Sequence, residues 1–202
     1  MGFGLIFIGY IFTVFDMGFI VNEALSVFVC KILCVCGYAV LMIGLGKYAR
    51  YSSDAKRSLA AFAVLTALQT GDAVIQGLWH FGAIGSETMA NIRVFLFPAI
   101  AVCYAVSHVY LFLALRKTAS ETECARVFKK AIRSVALTGA FCILNTAASL
   151  PLNLGDVISI VRYALFIVVT AVNATTIYSA YMWICLDTDL EKEKALMAKW
   201  KK

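Results

Sequence analysis

Residues 59–84 read LAAFAVLTALQTGDAVIQGLWHFGAI, an apolar run with one carboxylate, Asp72, halfway along it. At about 1.5 Å per residue a helix of this length reaches about 39 Å, enough to cross a hydrocarbon core of about 30 Å. The run therefore predicts a transmembrane helix with Asp72 near the bilayer centre. Steps of three and four residues return to one helix face, so Gln69, Asp72, Gln76 and His80 fall on a common side. Ala63, Ala67 and Gly71 mark the opposite side. Small residues one turn apart allow another helix to come close, so the segment is expected between neighbours, with its polar face toward an interior or cavity.

The remainder of the chain has the same character. It has 202 residues, 62% of them hydrophobic, and a mean hydropathy of +0.85, whereas soluble domains are about 45–50% apolar. Two prolines and thirteen glycines in so apolar a chain, without polar–apolar alternation, favour helices over an outer-membrane barrel. The expected architecture is all-α: a polytopic integral membrane protein with six transmembrane helices in a single bundle. The spans are read at 3–21, 24–46, 59–84, 94–115, 132–152 and 158–186, followed by a charged amphipathic tail, 187–202. The opening MGFGLIFIGYIF has no basic leader and no small-residue cleavage site after it, so the first segment is expected to stay in the mature protein.

Charge placement sets the orientation. Lys47, Arg50, Lys56 and Arg57 fall in one connection and Arg116, Lys117, Arg126, Lys129, Lys130 and Arg133 in another, while the tail adds Lys192, Lys194, Lys199, Lys201 and Lys202. By the positive-inside bias this side is the cytoplasm, and both termini are expected there. The net charge of +6 is thereby a topology signal, and no nucleic-acid partner is expected. The tail should continue the sixth helix and rest on the inner leaflet, a location also open to a protein partner.

Local signals mark the helix ends. Ser120 and Glu123 have capping-box spacing, predicting a helix that starts inside the second basic connection. Ser53 and Ser86 are candidate N-caps. Pro98 should kink the fourth span near its outer end, and Pro151 should close the fifth.

Each ionisable group in hydrocarbon calls for a partner or a function. Asp16 and Lys31, near the outer ends of consecutive antiparallel spans, are expected to form an intramembrane ion pair. Thr138, Cys142, Asn145 and Ser149 share one face of the fifth span, and Ser159, Arg162, Thr170 and Asn173 one face of the sixth. Counted from the span midpoints, Asn145 and Asn173 reach the depth of Asp72, so the three are expected to converge on a small pocket. His80 and Arg162 would stand where it opens outward. His108 should be a satisfied interior histidine, too far in depth from His80 for both to hold one haem.

The seven cysteines, at 30, 34, 36, 103, 124, 142 and 185, lie mostly in apolar runs. They are read as packing residues, the C-x3-C-x-C of Cys30, Cys34 and Cys36 being the one arrangement that would suit a soft metal. No metal or cofactor is expected. Catalysis is disfavoured: the Gly71-Asp72 and Gly155-Asp156 pairs fall at different depths, Ser107 and His108 are adjacent and point apart, and no zincin, phosphate-loop or dinucleotide motif is present.

The opening GFGLIFIGYIF is similar to the first segments of bacterial multi-pass proteins, implying a bacterial plasma membrane and no activity. In shape, six helices in about 200 residues with both ends cytoplasmic is similar to the substrate-binding subunits of energy-coupling-factor vitamin transporters, although the A-x-x-x-A face those often carry on their first helix is missing here; shape alone implies no function. Two functions stay open. One is a multi-pass protein that binds or transports a small solute or ion at Asp72, with Gln69, Gln76, His80, Asn145, Asn173 and Arg162 around it. The other is a membrane scaffold or accessory subunit acting through its basic loops and tail on a cytoplasmic or membrane partner.

Overall fold

In the computed structural model, residues 2–14, 24–149 and 155–200 are described. They form six helices and, among these residues, no strand: α1 Phe3–Thr13, α2 Ala24–Tyr48, α3 Ser53–His80, α4 Ser86–Glu121, α5 Ala125–Ser149 and α6 Gly155–Trp200. Four of them, α2, α3, α4 and α6, contain stretches long and apolar enough to cross a membrane. The helix α1 is apolar but has only 11 residues, and the rest of the 3–21 span falls outside the described residues. In α5 the first third carries Arg126, Lys129, Lys130 and Arg133. That leaves a shorter apolar part than the other four helices have.

Each helix packs on its neighbours in sequence, and α6 returns to α1, so the bundle closes on itself; α4 also touches α6. The tightest crossing is between α1 and α2. A Cβ built on Gly44 would lie 2.7 Å from the Ile6 nitrogen, one on Gly37 would lie 2.9 Å from the Gly9 carbonyl oxygen, and one on Gly9 would run into the backbone of Leu41. Glycines one or two turns apart on both helices let the backbones approach to where no other residue fits. The stripe expected to do this on α3 faces outward instead: Ala63 and Ala67 are exposed, and nothing lies within 4 Å of a Cβ built on Gly71. Since α3 buries its polar stripe, the small residues opposite are left on the outside.

At their charged ends α2, α3, α4, α5 and α6 run past the expected spans, because span-reading stops at charges while the hydrogen-bond ladder does not; α3 in turn stops at His80, short of the expected 84. The N-cap of α3 is Ser52, whose Oγ accepts from the Ala55 N–H at 3.4 Å, and that of α4 is Gly85. Ser120 and Glu123 do not form a capping box. Ser120 is still inside α4, and the chain turns after it: Cys124 N–H donates to Ala119 at 2.9 Å, Glu123 N–H donates to Ser120 at 3.3 Å, and Glu123 takes φ +54°. The same pattern ends α3, where Ala83 N–H reaches Leu78 at 2.8 Å, Gly82 N–H reaches Trp79 at 3.0 Å, and Gly82 has φ +74°. Both are helix stops that need one left-handed residue. The 81–85 turn marks one end of the bundle, called here the turn end. The connections at 49–52 and 122–124 mark the other, the basic end.

Candidate functional site

The inner stripe of α3 repeats every three or four residues: Ala55, Ser58, Phe62, Leu65, Gln69, Asp72 and Gln76 are all buried. The first half of the stripe is largely apolar and joins the core, with Phe62 and Leu65 fully buried. In the second half it becomes polar without changing face, which forces Gln69, Asp72 and Gln76 inward. Asp72 is 0% exposed. It lies about two turns from His80, the C-terminal end of α3, on the turn-end side of the middle of its helix.

Two cations meet this carboxylate from opposite neighbours. Lys31 on α2 places Nζ 2.9 Å from Oδ2, and Arg93 on α4 donates through Nε to Oδ1 at 3.1 Å. A second guanidinium N–H, Nη2, donates to Gln76 Oε1 at 2.6 Å, and the guanidinium carbon lies 5.3 Å from the centre of the Phe97 ring. Lys31 and Arg93 each sit about two turns into their helices from the turn end, which puts all three charges at one level. Asp72 is enclosed, while the side chains of Lys31 and Arg93 remain 14% and 19% exposed. Of the three charged side chains, only the two cations keep exposed surface.

Arg93 was not legible as a site residue, because the expected span began at residue 94 and left it in a connection. A signal existed. Outside the two basic connections and the tail, the chain's basic residues are Lys31, Arg93 and Arg162, and two of them meet at Asp72. The expected Asp16–Lys31 pair cannot be followed on its Asp16 side, which lies outside the described residues; Lys31 itself is at Asp72.

Asn145 and Asn173 do not join this site. Among the described residues, the ion-pair partners of Asp72 come from α2 and α4, and α3 packs on those two helices. Asn173 instead takes part in a polar seam between antiparallel α5 and α6. There Lys130 Nζ donates to Ser179 Oγ at 2.6 Å, Ser134 and Thr176 share a 2.8 Å bond, and Asn173 Nδ2 donates to Thr138 Oγ1 at 3.0 Å. Asn173 lies about five turns along α6 from its start at Gly155, whereas Asp72 lies about two turns from the end of α3, so the two are not level, and among the described residues α6 is not one of the helices that meet Asp72. Asn145 is half-buried on α5, Arg162 half-buried on α6, and His80 half-buried in the last turn of α3 with its ring 5.1 Å from that of Phe81.

His108 is fully buried. Its Nδ1 lies 2.8 Å from the Tyr104 carbonyl oxygen, so that nitrogen carries the proton, and its ring stacks on Tyr104 at 3.8 Å. Nearby, Tyr10 turns its hydroxyl toward Asn173, Tyr104 and Thr170 without a well-formed hydrogen bond. Cys34 is buried and points its thiol at the Thr13 carbonyl, 3.9 Å away, whereas Cys36 is exposed. Among the described residues no group of three or more His, Cys, Asp or Glu side chains is placed to hold a metal.

The fold and the site together define a class, an all-helical chain with membrane-length helices and a carboxylate buried between two cations at one level of the bundle. Compared with protein families, curated proteins and solved structures, the chain matches none.

Proposed function

We propose that the chain is a multi-pass plasma-membrane protein, crossing the bilayer six times with both termini in the cytoplasm, that binds a small anionic solute at the Lys31–Asp72–Arg93 centre and moves it across the membrane. The observation that carries this reading is the division of exposure within the centre: the carboxylate is sealed, and the two cations are not. A carboxylate already held by two cations has little left to offer a cationic ligand. Its role is that of a counter-ion, keeping two positive groups in a place where an isolated charge costs several kcal/mol. Lys31 and Arg93 then meet the solute, Gln76 fixes the guanidinium plane, and His80 stands between the centre and the turn end.

The test uses the full chain in detergent, with acetate, phosphate and chloride as anionic probes and choline and glycerol as comparison solutes. One anion should raise the thermal midpoint in a saturable way, and Lys31→Gln and Arg93→Gln should each abolish the rise while removal of 187–202 leaves it intact. Equal responses in the wild type and both variants, or a response to choline or glycerol alone, would refute the reading.

A further inference from the structure

At the basic end a second place is built for a charged group. A cavity of about 320 Å³ opens between the start of α3, the last turns of α4 and the start of α5, lined by Asp54, Leu113, Arg116, Lys117, Ser120 and Phe128. Its wall is mixed: Leu113 and Phe128 supply apolar surface, and Arg116, Lys117 and Ser120 supply donors. The Arg116 guanidinium carbon lies 5.5 Å from the centre of the Phe128 ring, which gives the cation a fixed station. Asp54 is the one acid in the wall, and Arg57 answers it at 3.4 Å. Two cations are left for a ligand.

We infer that this cavity holds the phosphodiester headgroup of an anionic phospholipid. The charge is complementary, and the mixed wall suits a molecule that carries an anionic group next to apolar chains. The level also fits, since the cavity lies where the membrane-length helices α3 and α4 begin and end. Arg57 sits 5.9 Å from the Tyr110 ring beside it, and aromatic and basic residues at one level are what a headgroup region collects. Basic pockets between helices at that depth take anionic headgroups, each cation there contributing a several-fold gain in affinity.

The full chain, delipidated in detergent, is titrated with phosphatidylglycerol, with phosphatidylcholine and with inorganic phosphate, and the bound species are counted by native mass spectrometry. The first phosphatidylglycerol should bind about tenfold more tightly than phosphatidylcholine, and Arg116→Gln/Lys117→Gln should remove that preference. Lys129→Gln/Arg133→Gln, which deletes as much charge from exposed positions outside the cavity, should keep it. If the cavity pair does not fold, Ser120→Leu keeps every charge, removes a donor, narrows the cavity and should weaken the first lipid. Equal loss in the two charge pairs, no preference between the two lipids, or undiminished binding in Ser120→Leu would overturn the inference. Binding of inorganic phosphate in place of the lipid would do so as well.

Discussion

Arg93 reaches two residues of α3 with one guanidinium, donating through Nε to Asp72 at 3.1 Å and through Nη2 to Gln76 at 2.6 Å. The two acceptors are one helical turn apart, so the fork locks α4 against α3 in register as well as in charge. A lysine has the charge but not the fork. We expect Arg93→Lys to cost about 1–2 kcal/mol, and Arg93→Gln, which leaves Asp72 with one cation fewer, about 3 kcal/mol or more. Reversible unfolding of the full chain in mixed micelles measures both, and equal losses would mean that the fork adds nothing to the charge.

Two glycines should respond in opposite directions. A Cβ on Gly9 meets the Leu41 backbone, which has no way to yield, whereas one on Gly71 meets nothing within 4 Å. Gly9→Ala should destabilise by about 2 kcal/mol or more through overpacking. Gly71→Ala should stabilise by about 0.5–1 kcal/mol, because a helix interior favours alanine. The same unfolding measurement decides, and a harmless Gly9→Ala would show that α1 and α2 do not cross this closely.

The matched turns give a second opposed pair. Gly82 and Glu123 occupy equivalent left-handed positions, at φ +74° and +54°, and glycine is the residue that pays least steric strain there. Gly82→Ala should lower stability by about 1 kcal/mol, and Glu123→Gly should raise it by about 0.5–1 kcal/mol. Thermal midpoints of the two variants check this, and a fall in both would place the strain elsewhere.

Two buried tyrosines differ in what their hydroxyls do. Tyr48 bonds Thr118 across α2 and α4 at 2.6 Å, while the Tyr10 hydroxyl has no well-formed partner. Tyr48→Phe should therefore cost about 1 kcal/mol, and Tyr10→Phe should be neutral to within about 0.5 kcal/mol. A loss at Tyr10 as large as at Tyr48 would show that its hydroxyl is held by Asn173, Tyr104 or Thr170 after all.

How far the sequence discloses this depends on the kind of signal. Periodicity is local, so the common face of Gln69, Asp72 and Gln76 could be read directly, and that face is the buried one. Helix ends were harder, since Ser120–Glu123 spells a start signal at a place where packing of Ala114, Leu115, Thr118 and Ala119 carries α4 through. Helix neighbours were hardest. Asn173 pairs with Thr138 rather than approaching Asp72 because α6 lies against α5 and α1, a fact of tertiary packing that no count along the chain contains. Arg93 was overlooked for a related reason, as its meaning depends on α4 beginning at Ser86, about two turns before the apolar run.

The account turns on Asp72 being the shared counter-ion of α2 and α4. The direct measurement is a double-mutant cycle of Asp72→Asn with Arg93→Gln, read as unfolding free energies of the full chain in mixed micelles. The ion pair predicts a coupling of about 1–3 kcal/mol, with the double variant less damaged than the sum of the single ones. Additive losses, within about 0.3 kcal/mol of zero coupling, would mean that the two residues do not meet and that the centre does not exist.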